Sequence, residues 1–144
     1  MRFILMVKAT EYAEAGVKAN RERYAEWIEY RNSLAKAGVL LAAEELLPSS
    51  AGVRISYPNN GEEPSILAGP FTVNHDLVAS FYLIDVMKED EALQWALRMP
   101  IQQDLVECNI EVRRLKEDSG ILRSSRLQVM EADLQEQMSM LKNF

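Results

Sequence analysis

The sequence predicts one α+β domain in which helices cover one face of an antiparallel sheet. Two observations predict it: strand-like apolar runs alternate with helical segments, and the order strand–helix–strand occurs twice. The 144 residues are close to the commonest size of a single domain. With 48% apolar and 26% charged residues, the composition is that of a globular protein with a substantial core.

The N-terminal part supplies a strand, a helix and a second strand. Phe3 to Val7 is continuously apolar, which is typical of a central strand buried on both faces. After a connection, Lys18 to Ala37 carries apolar and aromatic residues at three-to-four spacing, which predicts a helix that stops at Gly38. The following segment is apolar enough for helix or strand, and its place just after a helix stop favours a strand from Val39 to about Ala43.

The middle of the chain predicts a hairpin and a bend. Val53 to Tyr57 alternates as a strand does, and Ser65 to Leu67 is a short return strand. Between them, the Asn60-Gly61 pair accepts positive φ at both central positions of a tight turn. Gly69-Pro70 then predicts a rigid bend, because glycine is permissive and proline fixes φ.

The C-terminal part repeats the strand–helix–strand order. Val78 to Val86 is the strongest strand, Lys88 to Met99 an amphipathic helix, and Asn109 to Leu115 a final strand. Together these elements predict a ferredoxin-like sandwich over residues 1–118. One layer of helices leaves a bare sheet face, which predicts a homodimer. Residues 119–144 are predicted to be a helical extension, with a helix from Leu127 to Leu141 that docks on a neighbour.

Charge and cysteine content narrow the partners and the compartment. The net charge is -6 and the pI about 4.9, which disfavours nucleic-acid binding because that needs clustered Lys and Arg. Cys108 is the only cysteine, so no intramolecular disulfide forms, and a cytoplasmic location is expected. No apolar run approaches the length that spans a bilayer.

Four stretches of this chain together resemble the YCII-related proteins, also called DGPF-domain proteins: KAGVLLAAEELLPSSAGVRI, ILAGPFTVNHDLVASFYLIDV, EALQWALRMP and IEVRRL. The resemblance implies a ferredoxin-like fold that dimerises into an α+β barrel, with a cleft near the Gly-Pro bend. Most members have no assigned activity, and some are encoded beside extracytoplasmic-function sigma factors. One relative is a cofactor-free dehydrochlorinase acting on a chlorinated hydroxyquinol, and a His-Asp pair has been proposed as catalytic elsewhere in the family.

The chain departs from the family motif at two positions. Ala68 stands where the motif begins with aspartate, so a role resting on that carboxylate cannot be carried over. His75 stands where many members have lysine, and Asp76 occupies a position that is usually acidic.

His75 is the first candidate catalytic residue, because it is the chain's only histidine and histidine is the usual proton carrier near neutral pH. Asp76 is a candidate to orient it, although neighbours on a strand point to opposite faces. Glu44 and Glu45 interrupt an apolar run, and one of them could point into the cleft as a second proton acceptor, with Glu44 as the candidate. The structural alternatives are an exposed loop histidine beside a turn carboxylate, and a bulged strand edge at Glu44.

Four residues are candidates for substrate binding. Tyr24 and Trp27 lie three apart on one helix face and could line an aromatic pocket, or could pack as helix-to-sheet core. Pro70 and Phe71 belong to the bend where the resemblance places a cleft. No metal-ligand set, phosphate-binding loop or nucleotide cofactor is implied.

The sequence therefore predicts a cofactor-independent enzyme that moves protons on a hydrophobic, oxygenated small molecule, which could be aromatic, as a lyase, isomerase or cyclase. The alternative is a non-catalytic ligand-binding or adaptor protein that works with a protein partner such as a sigma factor.

Overall fold

A computed structural model describes residues 1–103, 106–117, 130 and 132–141. Its strands and helices follow the predicted order, with one short helix more. The elements are β1 (Arg2–Lys8), α1 (Glu11–Glu14), α2 (Arg21–Lys36), β2 (Leu40–Glu45), β3 (Val53–Ser56), β4 (Ser65–Ala68), β5 (Val78–Asp85), α3 (Glu89–Leu97) and β6 (Ile110–Arg114).

The main sheet has the order β2-β5-β1-β6, and every neighbouring pair is antiparallel. This order with α2 and α3 as crossovers is the ferredoxin-like arrangement, so the predicted fold class is confirmed. The sheet stays open at β2 and β6 and forms no closed barrel within the described residues. Strands β3 and β4 pair separately as a two-stranded hairpin.

The core lies between the sheet and the two long helices. Alternate residues of β1 are buried, and Leu5, Leu34 of α2 and Ile84 of β5 are completely enclosed. Burying side chains of this size contributes roughly 1.5–3 kcal/mol each. From α3, Ala92 and Ala96 enter the same core, where small side chains let the helix approach the sheet.

Helix α2 begins later than predicted and buries two of its side chains. It begins at Arg21 rather than Lys18, because the Asn20 side chain accepts a hydrogen bond from the Arg23 amide at 2.9 Å and caps the first turn. The buried residues are Tyr30 and Leu34, whereas Tyr24 is exposed.

Neither α2 nor α3 packs on the opposite face of the main sheet. The register pairs Ile4 with Leu83 and Met6 with Phe81, so these four apolar side chains share that face and are half-buried. We call them the open-face patch. The hairpin has an apolar face too: Val53 pairs with Ala68 and Ile55 with Ile66, and every residue of both strands is exposed.

The hairpin turn is longer than the tight Asn-Gly turn that the sequence predicts. The paired residues nearest the turn are Ser56 and Ser65, so eight residues connect the strands. Only glycines have positive φ in the described residues, and Gly61 is one, at 80°. Asn60 instead uses its side chain, which accepts a hydrogen bond from the Glu62 amide at 3.1 Å.

The Gly69-Pro70 bend is packed against residues 49–52. The Gly69 amide donates to the Gly52 carbonyl at 3.0 Å, and the Phe71 amide donates to the Ser49 hydroxyl at 2.9 Å. Glu14 of α1 holds the same serine, since its carboxylate accepts from the Ser49 amide at 3.0 Å and from the Ser49 hydroxyl.

Residues 132–141 are helical, and each of them is exposed, which agrees with the helix predicted near the C-terminus. Residues 127–129 and 131 of that predicted helix lie outside the described residues, as does the predicted boundary at 118 and 119.

The close packing around Gly69 predicts that a larger residue there would destabilise the protein. A Cβ on Gly69 would overlap the Ser49 carbonyl, a backbone atom that cannot move alone. Gly69→Ala should therefore lower the free energy of unfolding by about 2–3 kcal/mol, measured by urea denaturation.

Gly61→Ala is the matched control, because Gly61 has positive φ but no neighbouring atom lies within 4 Å of the place that a Cβ would take. It should cost only about 1 kcal/mol, the penalty for a side chain at a left-handed backbone angle. Equal losses at the two glycines would contradict close packing at the bend.

Candidate functional site

The chain's only histidine lies on a cavity of about 360 Å³. Three segments surround this His75 cavity: the end of β1 with the start of α1, the loop before β5, and the loop before β6. The residues that line it are Lys8, Ala9, Thr10, Glu11, Val73, Asn74, His75, Val106, Glu107 and Asn109.

Backbone hydrogen bonds at the end of β1 bring these loops together. The Lys8 amide donates to the Asn109 carbonyl at 2.9 Å, and the Ala9 amide donates to the Leu77 carbonyl at 2.9 Å. One strand end therefore fixes both loops, although the two loops are far apart in sequence.

The imidazole of His75 contacts Asn109 rather than a carboxylate. Its Nδ1 lies 3.2 Å from the Asn109 side-chain nitrogen, and the ring is otherwise exposed. In this orientation of the amide, the Asn109 nitrogen donates and Nδ1 accepts, which places the proton of the neutral ring on Nε2. In this tautomer the imidazole presents an N–H donor at Nε2.

Asp76 has a local structural contact. Its backbone amide donates to the Asn74 side chain at 2.9 Å, which closes a short turn, and its own side chain is exposed. Among the described residues, His75 forms no hydrogen bond with Asp76 or Glu44. The structure brings neither candidate carboxylate to the imidazole.

Lys8 adds a positive charge to the His75 cavity. Its side chain is only 11% exposed, and its ammonium group lies 3.0 Å from the carboxylate of Glu111. That hydrogen bond and a second one from Arg113, at 3.2 Å, hold the pKa of the Glu111 carboxyl below its usual range. Glu111 therefore stays ionised and fixes the position of the Lys8 side chain.

The other candidates, Glu44, Tyr24 and Trp27, lie on a different cavity, of about 280 Å³. This aromatic cavity is bounded by α2 on one side and by β2 and β5 on the other, and it shares no lining residue with the His75 cavity. The residues that line it are Tyr24, Trp27, Ile28, Arg31, Ala43, Glu44, Glu45 and Tyr82.

A cluster of aromatic rings forms the floor of the aromatic cavity. Trp27 stacks nearly parallel to Tyr82, with ring centroids 6.2 Å apart, and Tyr30 meets both rings edge-on. Such pairs contribute roughly 0.5–1.5 kcal/mol beyond the area they bury. Trp27 is thus both a core residue and a cavity wall.

Burial changes the acidity of the two buried tyrosines. Burial, and then the negative charge of Glu45, raise the pKa of Tyr82 to about 12, while Arg31 acts in the opposite direction. Burial also raises the pKa of Tyr30, whose hydroxyl donates to the Trp95 carbonyl at 2.8 Å. Both phenols are therefore neutral hydrogen-bonding groups at pH 7.

Pro70 and Phe71 line neither of these two cavities. The Phe71 ring is covered by the guanidinium of Arg54, 4.1 Å from its centroid, and its amide is bonded to Ser49. Both residues belong to the packed bend.

Cys108 lies on a third, more apolar cavity of about 580 Å³ next to the end of α3. Burial raises the pKa of its thiol, which disfavours the thiolate that a nucleophile needs. In the described part of the chain, no group of three or more His, Cys, Asp and Glu side chains could hold a metal ion. No helix found there is long and apolar enough to cross a membrane.

Sequence reasoning missed four residues that shape the two cavities: Lys8, Arg31, Tyr82 and Asn109. Tyr82 lies within a predicted strand and Lys8 directly follows one, so knowledge of the strand register would have revealed them. Asn109 could be found only from the pairing of β1 with β6, because 34 residues separate it from His75.

Comparison with known proteins gives one family. The model of the YCII-related domain matches residues 1–117. No curated protein matches the chain.

The contact between His75 and Asn109 predicts a ring tautomer. Neutral His75 should carry its proton on Nε2, and long-range ¹H–¹⁵N spectra of the single imidazole should show an unprotonated Nδ1. Asn109→Leu, which has no donor, should reduce this preference, whereas Asp76→Asn should leave it unchanged. A wild-type ring protonated mainly on Nδ1 would refute the assignment.

Proposed function

Because the chain belongs to the YCII-related family, whose domain spans residues 1–117, we propose that it is a cofactor-independent enzyme that transfers protons on a small oxygenated substrate. The substrate would be hydrophobic, a phenol or another compound with an acidic C–H, and the reaction a lyase, isomerase or cyclase step. The lone cysteine supports a reducing, cytoplasmic setting for this chemistry.

One observation carries the proposal: the imidazole of His75 lies on a cavity large enough for a small molecule and is held there by Asn109. A catalytic acid or base must be positioned before its acidity matters. Asn109 is the positioning residue in this proposal, in place of Asp76 or Glu44.

An amide partner allows His75 to bind a substrate oxygen or to act as a base. With the Asn109 nitrogen toward Nδ1, the neutral ring donates a hydrogen bond from Nε2–H and keeps its proton. If the amide rotates by half a turn, its oxygen accepts from Nδ1–H, and the bare Nε2 can take a proton from the substrate. Proton abstraction leaves the substrate anionic, and the Lys8 ammonium on the same cavity would stabilise that charge.

The proposed enzyme is a homodimer formed through the open-face patch. A contiguous apolar area, covered by neither α2 nor α3, is formed by Ile4, Met6, Phe81 and Leu83. Contiguous apolar surface of this kind is typical of subunit interfaces, and two identical patches can pack around a twofold axis without burying unlike groups.

A second candidate function rests on the C-terminal helix. Met130, Leu134, Met138 and Leu141 are more than half exposed and repeat at helical spacing. A stripe of this kind favours docking of a protein partner, as in a non-catalytic adaptor.

Proton transfer can be tested without knowing the natural substrate. The full chain in D₂O should accelerate deuterium exchange at ring carbons of phloroglucinol or at the α-carbon of an enolisable cyclic ketone, followed by ¹H NMR. His75→Gln should slow the catalysed exchange by about 10²–10⁴-fold, the usual contribution of a general acid or base.

Asp76→Asn is the matched control and should exchange at the wild-type rate, because its side chain does not line the cavity. Wild-type protein no faster than buffer would favour the adaptor function. A His75→Gln protein as fast as wild type would remove His75 from the reaction.

The homodimer is tested by sedimentation equilibrium. Ile4→Lys places a charge in the open-face patch and should shift the protein from dimer to monomer, because a buried unpaired charge is costly. Leu93→Lys, at a 48% exposed position on α3, is the control and should remain dimeric. A monomeric wild-type protein would exclude this interface.

A further inference from the structure

The hydroxyl group of Tyr82 is a polar group on a buried residue with no hydrogen bond to any described residue. The side chain is only 7% exposed, and no hydrogen bond from its hydroxyl is found, in contrast to that of Tyr30. The hydroxyl is also not fully enclosed: Arg2 Nε is the buried side-chain polar atom without a partner in the described chain. The Tyr82 hydroxyl therefore opens on the aromatic cavity that its residue lines.

Positively and negatively charged side chains line the same cavity. Arg31 comes from α2, and Glu44 and Glu45 come from β2. None of these three side chains forms an ion pair with another described residue, because every ion pair in the described part of the chain joins other side chains. Burial raises the pKa of Tyr82 most, and in addition Glu45 raises it and Arg31 lowers it.

The sheet register distinguishes the two glutamates. Ala43 pairs with Tyr82 and Glu45 pairs with Ser80, so Glu45 lies on the same sheet face as Tyr82. Glu44 pairs with Phe81 and belongs to the opposite face. Glu45 is therefore the carboxylate that faces the ring cluster.

The remaining wall is apolar and accessible. Tyr24 is 59% exposed and Ile28 is 44% exposed, and both stand beside Trp27 on the same side of α2. A ligand with an apolar side group could cover these side chains, while its polar end reached the hydroxyl and the two charges.

We propose that the aromatic cavity binds a small zwitterion of the amino-acid type with an apolar or aromatic side group. Glu45 would bind its ammonium group, Arg31 its carboxylate with a hydrogen bond from Tyr82, and Trp27 and Tyr24 its side group. The volume of about 280 Å³ suits a ligand of that size.

A zwitterion fits better than a ligand with one charge. An amine without a carboxylate would cover Arg31 and leave its positive charge desolvated and unpaired. A carboxylate without an amine would leave the negative charge of Glu45 desolvated and unpaired in the same way. The proposal is independent of the reaction at His75, because the two cavities share no lining residue.

Calorimetric titration of the full chain tests the proposal with four probes: L-phenylalanine, L-leucine, phenethylamine and 3-phenylpropanoate. The two amino acids should bind, and L-phenylalanine should bind at least about tenfold more tightly than either singly charged analogue, the equivalent of about 1.4 kcal/mol. Tyr82→Phe keeps the ring and should weaken L-phenylalanine about fivefold, the usual effect of one hydrogen bond.

Charge variants assign the ends of the ligand. Arg31→Gln should remove the advantage of L-phenylalanine over phenethylamine, and Glu45→Gln should remove its advantage over 3-phenylpropanoate. Glu29→Gln, on the same helix but outside the cavity, is the matched control and should bind as wild type does. Urea denaturation of each variant checks that the fold is retained.

Three results would overturn the proposal. These are a dissociation constant above about 10 mM for both amino acids, equal affinity for a singly charged analogue, and unchanged binding by folded Tyr82→Phe. Loss of deuterium exchange in His75→Gln would not change any of these binding measurements. The proposed proton transfer at His75 and the proposed ligand of the aromatic cavity can therefore be refuted independently.

Discussion

The pairing of β1 with two antiparallel neighbours is the constraint on which both cavities depend. β1 pairs along its whole length with β5, and residues 3–7 pair with β6 as well. The strand is central, but it is not buried on both faces as its continuous apolar run predicts: Leu5 is completely buried beneath the helices, whereas Ile4 and Met6 lie on the open face and are half-buried. The end of β1 is hydrogen-bonded to both neighbouring loops, through the Lys8 amide to Asn109 and the Ala9 amide to Leu77, so its position sets where those loops lie.

The same register separates the side chains that line the two cavities. Side chains of β5 alternate, so Tyr82 lies on the face of the helices, whereas Phe81 and Leu83 lie on the open face. Tyr82 and the rings that pack against it therefore lie beneath α2, whereas His75 lies in the loop that precedes β5. His75 and the aromatic wall, which the sequence predicts as parts of one site, thus belong to different parts of the molecule.

Much of the fold could be predicted from periodicity and turn residues, because the strands and helices are long and regular. Predictions failed where a local pattern was compatible with two arrangements. The helical spacing of α2 fits a buried Tyr24 as well as a buried Tyr30, and only packing against Tyr82 and Trp95 selects Tyr30. The contact of His75 with Asn109 could not be predicted, since it depends on strand pairing and not on sequence proximity.

The alanine at the start of the family motif is consistent with a site built elsewhere. Ala68 is exposed on β4 opposite Val53, and it lines neither the His75 cavity nor the aromatic cavity. Loss of a carboxylate at this position therefore removes nothing from either group of side chains. The histidine at position 75, in contrast, does line a cavity, and its imidazole can either donate or accept a hydrogen bond, whereas the ammonium of a lysine in its place would only donate. Its partner is the neutral amide of Asn109, which can donate to the ring in one orientation and accept from it in the other.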